Sequence, residues 1–286
     1  MIMQDAIQRM WEDFRLRGLS ESTFRNYMRN VKQFLEFCDC PIEELDETDV
    51  RKYLSHMIVE RRLSPKTVNQ ASSSIRFFFA VGLNRHMNYA QIPVMKIPYT
   101  LPDILTREEI GALINACLNA KHKALILLAY GSGLRTGEIQ RLRVKDIDSK
   151  EMRIFVKGFK NKRDHFTVLS QTTLEALREY WQMYRPNSPE GWLFPGFRNV
   201  GHITRACVSW AFTEALHRTN IAKIVTTHTL RHAFATHMIE DGVDLMKVKE
   251  MLGHARLHST TVYVHLANTA TKGITSPADK MGTHHD

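Results

Sequence analysis

The stretch NYAQIPVMKIPYTLPDIL holds Pro93, Pro98 and Pro102 within ten residues. Proline fixes its own φ, has no N–H to donate, and disfavours the helical region for the residue before it. No long helix or strand runs through such a stretch, so it divides the 286-residue chain. The expected organisation is a first domain over residues 1–92, a linker over 93–103 and a second domain over 104–286. Each domain is long enough to close a hydrophobic core of its own.

The first domain follows the helical period and reads as four to five amphipathic helices. In SESTFRNYMRNVKQFLEFC, the residues Phe24, Tyr27, Met28, Val31, Phe34 and Leu35 recur at helical spacing, with Ser20 or Ser22 placed to cap the first turn. The opposite face carries Arg25, Arg29 and Lys32. In SPKTVNQASSSIRFFFAVGL, Ser64 caps and Pro65 suits the first turn. Val68, Ala71, Ile75, Phe78 and Phe79 form the apolar stripe there, leaving Lys66, Asn69 and Arg76 outside. The acidic EELDETD reads as a solvated turn and a helix start.

The second domain opens on a capping box, Thr106 with Glu109, in LTREEIGALINACL. ALILLAYGSG reads as a buried helix ended by glycines, and Gly131-Ser-Gly133 lacks the GxxxxGK of a nucleotide loop. Two β-like runs, Met152–Val156 and Phe166–Leu169, flank a basic turn and predict a hairpin. Helical patterns resume at Thr172 and end near Leu266, before a loosely ordered tail. Tyr180 and Tyr184, beside Trp181, read as packing.

The charge is uneven between the halves. Residues 1–99 carry 14 Lys and Arg against 12 Asp and Glu, whereas residues 100–286 carry 25 against 18. The net charge of +9 points to an anionic partner and places the stronger attraction in the second half. No apolar run approaches the roughly 18 residues of a membrane span, and MIMQDAIQRMWEDF has no secretory signal pattern. Four cysteines in a chain of this length are no disulfide framework; reduced thiols imply a cytoplasmic protein without a membrane partner.

Several polar residues of the second domain suit one chemistry. Attack on a phosphodiester builds negative charge on its non-bridging oxygens, which two guanidiniums can clamp bidentately. A tyrosine, with an ordinary pKa of about 10, needs help to become a nucleophile, and the leaving 5′-oxygen needs a proton from a lysine or histidine. Arg135 in GLRTGE, His228 and Arg231 in HTLRH, His254 in LGH, Tyr263 and the hairpin lysines Lys157, Lys160 and Lys162 make up that set, with no metal or cofactor required. A zinc site from His228 and His232 fits the i, i+4 spacing, but no HExxH glutamate or carboxylate set accompanies it.

The series GLRTGE, a lysine in a hairpin turn, HTLRHAFATHM, LGH and a tyrosine nine residues after that histidine resembles the tyrosine recombinases of the phage-integrase family. The likeness spans nearly the whole chain, and the Xer and integron-type enzymes are the most similar members. The tail ITSPADKM is like that of the integron type, but the helix-sized insertion those enzymes carry before His228 is absent. The resemblance implies a mainly α fold with a small antiparallel β-sheet, a helical core-binding bundle followed by the catalytic domain. It implies a site-specific DNA recombinase that cleaves and rejoins duplex DNA through a covalent 3′-phosphotyrosine, without metal or ATP.

By the same motifs, Arg135 and Arg231 would hold the scissile phosphate and Tyr263 would attack it. His228 would assist proton transfer, and His254 would bond the phosphate or help the leaving group. The lysine aligns best as Lys160, with Lys157 and Lys162 as alternatives, and Glu138 would buttress Arg135. Arg25, Arg29, Lys32, Lys66, Asn69 and Arg76 would contact DNA from the first domain. The implied partners are double-stranded DNA with specific recombination sites and a homo-tetramer on two such sites, each protomer passing a C-terminal segment to its neighbour; the family also allows an accessory protein. A type IB topoisomerase would share the chemistry, and a non-catalytic DNA-binding regulator would share the fold. The small first domain and Xer-like motifs argue against the former, the complete polar set against the latter.

Overall fold

Short polar side chains decide where the helices of the first unit begin. Ser20 accepts from the Thr23 N–H, and Ser64 does the same for Thr67, with Pro65 in the first turn. Asp46 and Asp49 form a reciprocal capping box. The computed structural model describes residues 2–88, 90, 92–98, 103–158, 163–254 and 258–267. The chain divides into two compact units, 1–100 and 101–286.

In the first unit α1 (Ile2–Leu16), α2 (Glu21–Cys38), α3 (Glu47–Val59) and α4 (Pro65–Phe77) are followed by a π-helical turn, Phe78–Gly82. Met10, Phe14, Val31, Phe34, Tyr53, Ile75, Phe78 and Phe79 are buried between them. Truncating one such phenylalanine to alanine costs about 3–5 kcal/mol, through lost burial and the cavity left behind. The basic face of α2 is exposed at Arg25, Arg29 and Lys32, as is Lys66 at the start of α4. Asn69 and Arg76 behave differently. The Asn69 amide donates to the Met95 carbonyl at 2.8 Å and accepts from its N–H at 2.9 Å, and Arg76 donates to the Ile92 carbonyl. These two side chains fasten residues 92–95 to the bundle instead of standing free on its surface.

The second unit is built around α6 (Ala120–Gly131), which follows α5 (Arg107–Asn115). Eight of the twelve residues of α6 are buried, on all sides of the helix, the pattern of a central helix. Against it pack α7 (Thr136–Ile139), α8 (Gln171–Tyr184), α9 (Arg205–Leu216) and α10 (Thr227–Glu240), and α11 (Leu245–Met251) and α12 (His258–Leu266) pack in turn on α10. A three-stranded antiparallel sheet, β1 (Ile147–Asp148), β2 (Arg153–Val156) and β3 (His165–Val168), runs in the order β1-β2-β3. Its register pairs Ile154 with Thr167 and Val156 with His165. Strand β2 ends at Val156 as expected but begins one residue late, because Met152 sits in a turn at φ +49°, and β3 begins and ends one residue earlier than expected. Thr167 donates its hydroxyl to the Ser132 carbonyl at 2.8 Å and so ties the sheet to the end of α6.

Two glycines shape the bends that carry the polar set. Gly133 has φ +63°, and a Cβ there would lie 2.4 Å from the Phe234 ring. Gly253 has φ +58°, and a Cβ there would lie 2.5 Å from the His165 ring. Only glycine combines a left-handed conformation with such close approach. The bend at 132–135 thereby packs against α10, and the bend at 252–254 against β3.

Candidate active site

Arg231 lies at the centre of the site. It is 1 % exposed, the fifth residue after the Thr226 cap of α10. Its Nη1 donates to the Gly133 carbonyl at 2.6 Å and approaches Glu138 Oε2 at 3.4 Å; its Nη2 donates to the Leu252 carbonyl and to His254 Nε2, the latter at 3.1 Å. Among the described residues its buried Nε has no hydrogen-bond partner. Arg135 arrives from the start of α7. Its Nη1 donates to Glu138 Oε1 at 2.7 Å and to the Leu252 carbonyl at 3.3 Å, while its backbone N–H donates to Glu138 Oε2 at 2.8 Å. One carboxylate thus faces two guanidiniums, leaving a surplus of positive charge in a nearly dry place.

Burial alone would raise the Glu138 carboxyl, but Arg231 and Arg135 prevail and hold it below its ordinary value. Burial, and then Arg135, pull Arg231 down to about 10, against the opposing pull of Glu138. It therefore keeps its charge at neutral pH.

The bend after α11 supplies His254. Arginine has only donors, so His254 Nε2 must accept from Arg231, which puts the ring proton on Nδ1, where it donates to Thr260 Oγ1 at 3.0 Å. Tyr263, on α12, is 3 % exposed, and its ring stacks on His254 with centroids 6.3 Å apart. Burial raises the pKa of its phenol, while Arg231 and Arg135 pull it back.

Arg135, Arg231, His254 and Tyr263 therefore come together from four separate segments. His228 lies one turn from His232 on α10, its ring 4.6 Å away and edge-on; it is exposed. The histidine on the tyrosine is His232, whose Nδ1 is 3.0 Å from Tyr263 Oη. Burial, then His228 and Arg231, lower His232 to about 4, so the ring is neutral at physiological pH. The sequence set His232 on the same helix as His228, four residues on, but did not pair it with the tyrosine; that pairing depends on α12 packing on α10. Lys157 is exposed just past β2. Lys160 and Lys162 lie outside the described residues.

Such a cluster offers what a phosphodiester requires: donors for its oxygens, an oxygen nucleophile, and imidazoles to move protons. Comparison with known proteins agrees. The phage integrase family model matches residues 103–270, and the model of the family's N-terminal SAM-like domain matches residues 7–88. The protein y4qK of Sinorhizobium fredii is 36% identical over 98% of this chain and 91% of its own length. The tyrosine recombinase XerD of Oceanobacillus iheyensis is 30% identical over 95% of this chain and 97% of its own. In fold, the chain is similar to the XerH site-specific recombinase in a post-cleavage complex with its difH substrate, with a TM-score of 0.70 and 20% identity over 86% of this chain and 77% of that one. The family models and these relatives define a site-specific DNA recombinase, an enzyme that breaks and rejoins DNA. The chain belongs to the phage integrase family, as one of its tyrosine recombinases.

Proposed function

We propose that this site-specific recombinase breaks and rejoins DNA by attack of Tyr263 Oη on a phosphodiester held by Arg135 and Arg231. The observation that carries the reading is the buried cluster itself, in which two guanidiniums share one carboxylate and border a shielded tyrosine. An incoming phosphate brings the negative charge that the cluster lacks. It also offers an acceptor to the buried Arg231 Nε. As the phosphorus becomes five-coordinate, fixed donors around its oxygens stabilise the growing charge without reorganising. The Oη–P bond forms, the P–O5′ bond breaks, and the 5′-oxygen takes a proton from a hairpin lysine (Lys160, or Lys157 or Lys162 beside it) with His228 or His254 assisting. Reversal by a 5′-hydroxyl from another strand rejoins the DNA, so the bond energy is conserved and neither ATP nor metal enters.

The partner is duplex DNA bearing a recombination site. The exposed Arg25, Arg29, Lys32 and Lys66 contact its phosphates, and four protomers on two sites form the working assembly. Among the described residues no helix is long and apolar enough to cross a membrane, in keeping with action on DNA in the cytoplasm.

Covalent capture tests this reading. The protein is incubated with sheared genomic DNA of its source organism, denatured in SDS, and digested so that DNA-bearing peptides are mapped by mass spectrometry. The expected adduct is on Tyr263; it disappears in Tyr263→Phe, at least about a thousandfold down, while salt-sensitive DNA binding persists. An adduct on another tyrosine, or none with binding intact, would refute it, the latter in favour of a DNA-binding regulator.

A further inference from the structure

We infer that His232 is the base that takes the phenol proton from Tyr263 as the phenol attacks the phosphate. The inference rests on the reading of Tyr263 as nucleophile. Its geometry is independent of the motif alignment: Nδ1 of His232 is 3.0 Å from Tyr263 Oη, hydrogen-bond distance, in the protein without DNA. His228, the histidine of the sequence motif, meets the edge of the His232 ring.

The chemistry balances simply. Tyr263 Oη–H donates to a neutral imidazole whose own proton sits on Nε2. During attack this proton moves to Nδ1, the Oη–P bond forms, and the P–O5′ bond breaks with its proton supplied from elsewhere in the site. His232 is then an imidazolium. On rejoining, the leaving phenolate recovers the proton from Nδ1.

Two features prepare the ring for this. Buried Tyr263 does not release its proton unaided, because burial raises its pKa. His232 is held neutral by burial and by the neighbouring His228 and Arg231, so its acceptor site is available across the physiological range. The same neighbours make it a weak base in the free protein. A bound phosphate reverses that: its charge offsets Arg231 and favours the imidazolium beside it. Among the described residues the ionisable groups of this neighbourhood are His228 and Arg231 on α10, Tyr263 on α12, His254 at the bend after α11, which stacks on Tyr263, and Arg135 and Glu138 on the far side of Arg231. The base is therefore strengthened when substrate is in place.

His232→Asn and His232→Ala separate proton transfer from positioning. Asparagine keeps a hydrogen-bonding atom near the Nδ1 position but accepts no proton at neutral pH. The expected result is that both variants bind DNA normally and form the Tyr263 adduct about a hundredfold or more slowly. A duplex recovered by covalent capture and remade with a sulfur in place of the bridging 5′-oxygen adds a second readout. Its thiolate leaves without a proton, so it rescues defects in the acid and leaves a defect in the base unrescued. Near-normal cleavage by His232→Asn with loss in His232→Ala would mean that His232 only positions the tyrosine, and rescue by the sulfur substrate would move it to the leaving group; either overturns the inference. Nitrogen-15 spectra of the unsubstituted protein give a test free of folding effects: Nδ1 is expected unprotonated, and a proton found on Nδ1 overturns it too. If the unsubstituted protein forms no adduct on Tyr263, the reading beneath fails with it. If that adduct forms and both variants match it, the base assignment alone fails.

Discussion

Arg85 in the first unit and Arg231 in the second do outwardly the same thing. Arg85 donates to the carbonyls of Ile42 and Leu45, at 3.2 and 2.8 Å, and lies over the Phe79 ring. Arg231 donates to the carbonyls of Gly133 and Leu252. Arg85 ties one loop to another, and Arg231 ties two bends onto α10. The difference lies in their company. Around Arg85 are backbone carbonyls, an aromatic face and the Glu47 carboxylate, which satisfy it and ask nothing further. Around Arg231 are a second guanidinium, a shared carboxylate, two imidazoles and a phenol. An arginine on carbonyls is a fastening; one packed among ionisable groups and left short of anions is a receptor as well.

The sharpest way to break this contrast is Arg231→Lys. Lysine keeps the charge but loses the fork that reaches two carbonyls and a phosphate together. Adduct formation is expected to fall at least about a hundredfold, and the melting temperature to fall as well; near-normal cleavage would reduce Arg231 to a fastening like Arg85.

Glu138→Gln comes next. With the shared carboxylate gone, Arg231 and Arg135 repel one another, at a cost of about 3 kcal/mol. Acid unfolding gives a second view. The folded-state pKa of Glu138 lies below the ordinary 4.5, so its contribution is full above that value and is lost as pH falls through the folded-state pKa. Glu138→Gln should therefore flatten the stability curve below pH 4.5; an unchanged slope would show that the carboxylate does not bind the two cations together.

Arg85→Ala should lower stability by about 1–3 kcal/mol and leave single-turnover cleavage by the folded protein within about twofold. A large loss of cleavage at full folding would erase the distinction between the two arginines. The smallest effect is expected from the exposed pair Arg29→Ala with Lys32→Ala. If both contact phosphates, the slope of log affinity against log salt falls by about 2; an unchanged slope removes that face of α2 from the DNA interface.

What the sequence makes legible divides along the same line. Local chemistry reads well: Ser20, Ser64 and Thr106 cap the helices they were expected to cap, because a cap involves only residues two or three apart. Arg135, Arg231, His254 and Tyr263, singled out by their residue types and by the motifs they sit in, are brought to one place by the fold. Long-range partners read poorly. Asn69 and Arg76 stand at outward helical positions, yet their tips turn to the backbone at 92–95, since periodicity fixes where a side chain starts and not what it reaches. Strand β1 has two residues, too few for any alternation to show. His232 carried a visible signal, the i, i+4 spacing from His228, but whether such a pair meets a metal or a phenol depends on a helix some thirty residues further on.

The bend at Gly133 has a consequence for descent. A Cβ at 133 would overlap Phe234, itself buried, and would crowd Leu252 at 3.1 Å. Positions 133 and 234, far apart in the gene, are thus tied by shape and must be inherited as a pair. A lineage that gains a side chain at 133 must first shrink the ring at 234, and in doing so it would loosen the helix that holds Arg231. Variation at this bend is closed off before selection on the chemistry begins.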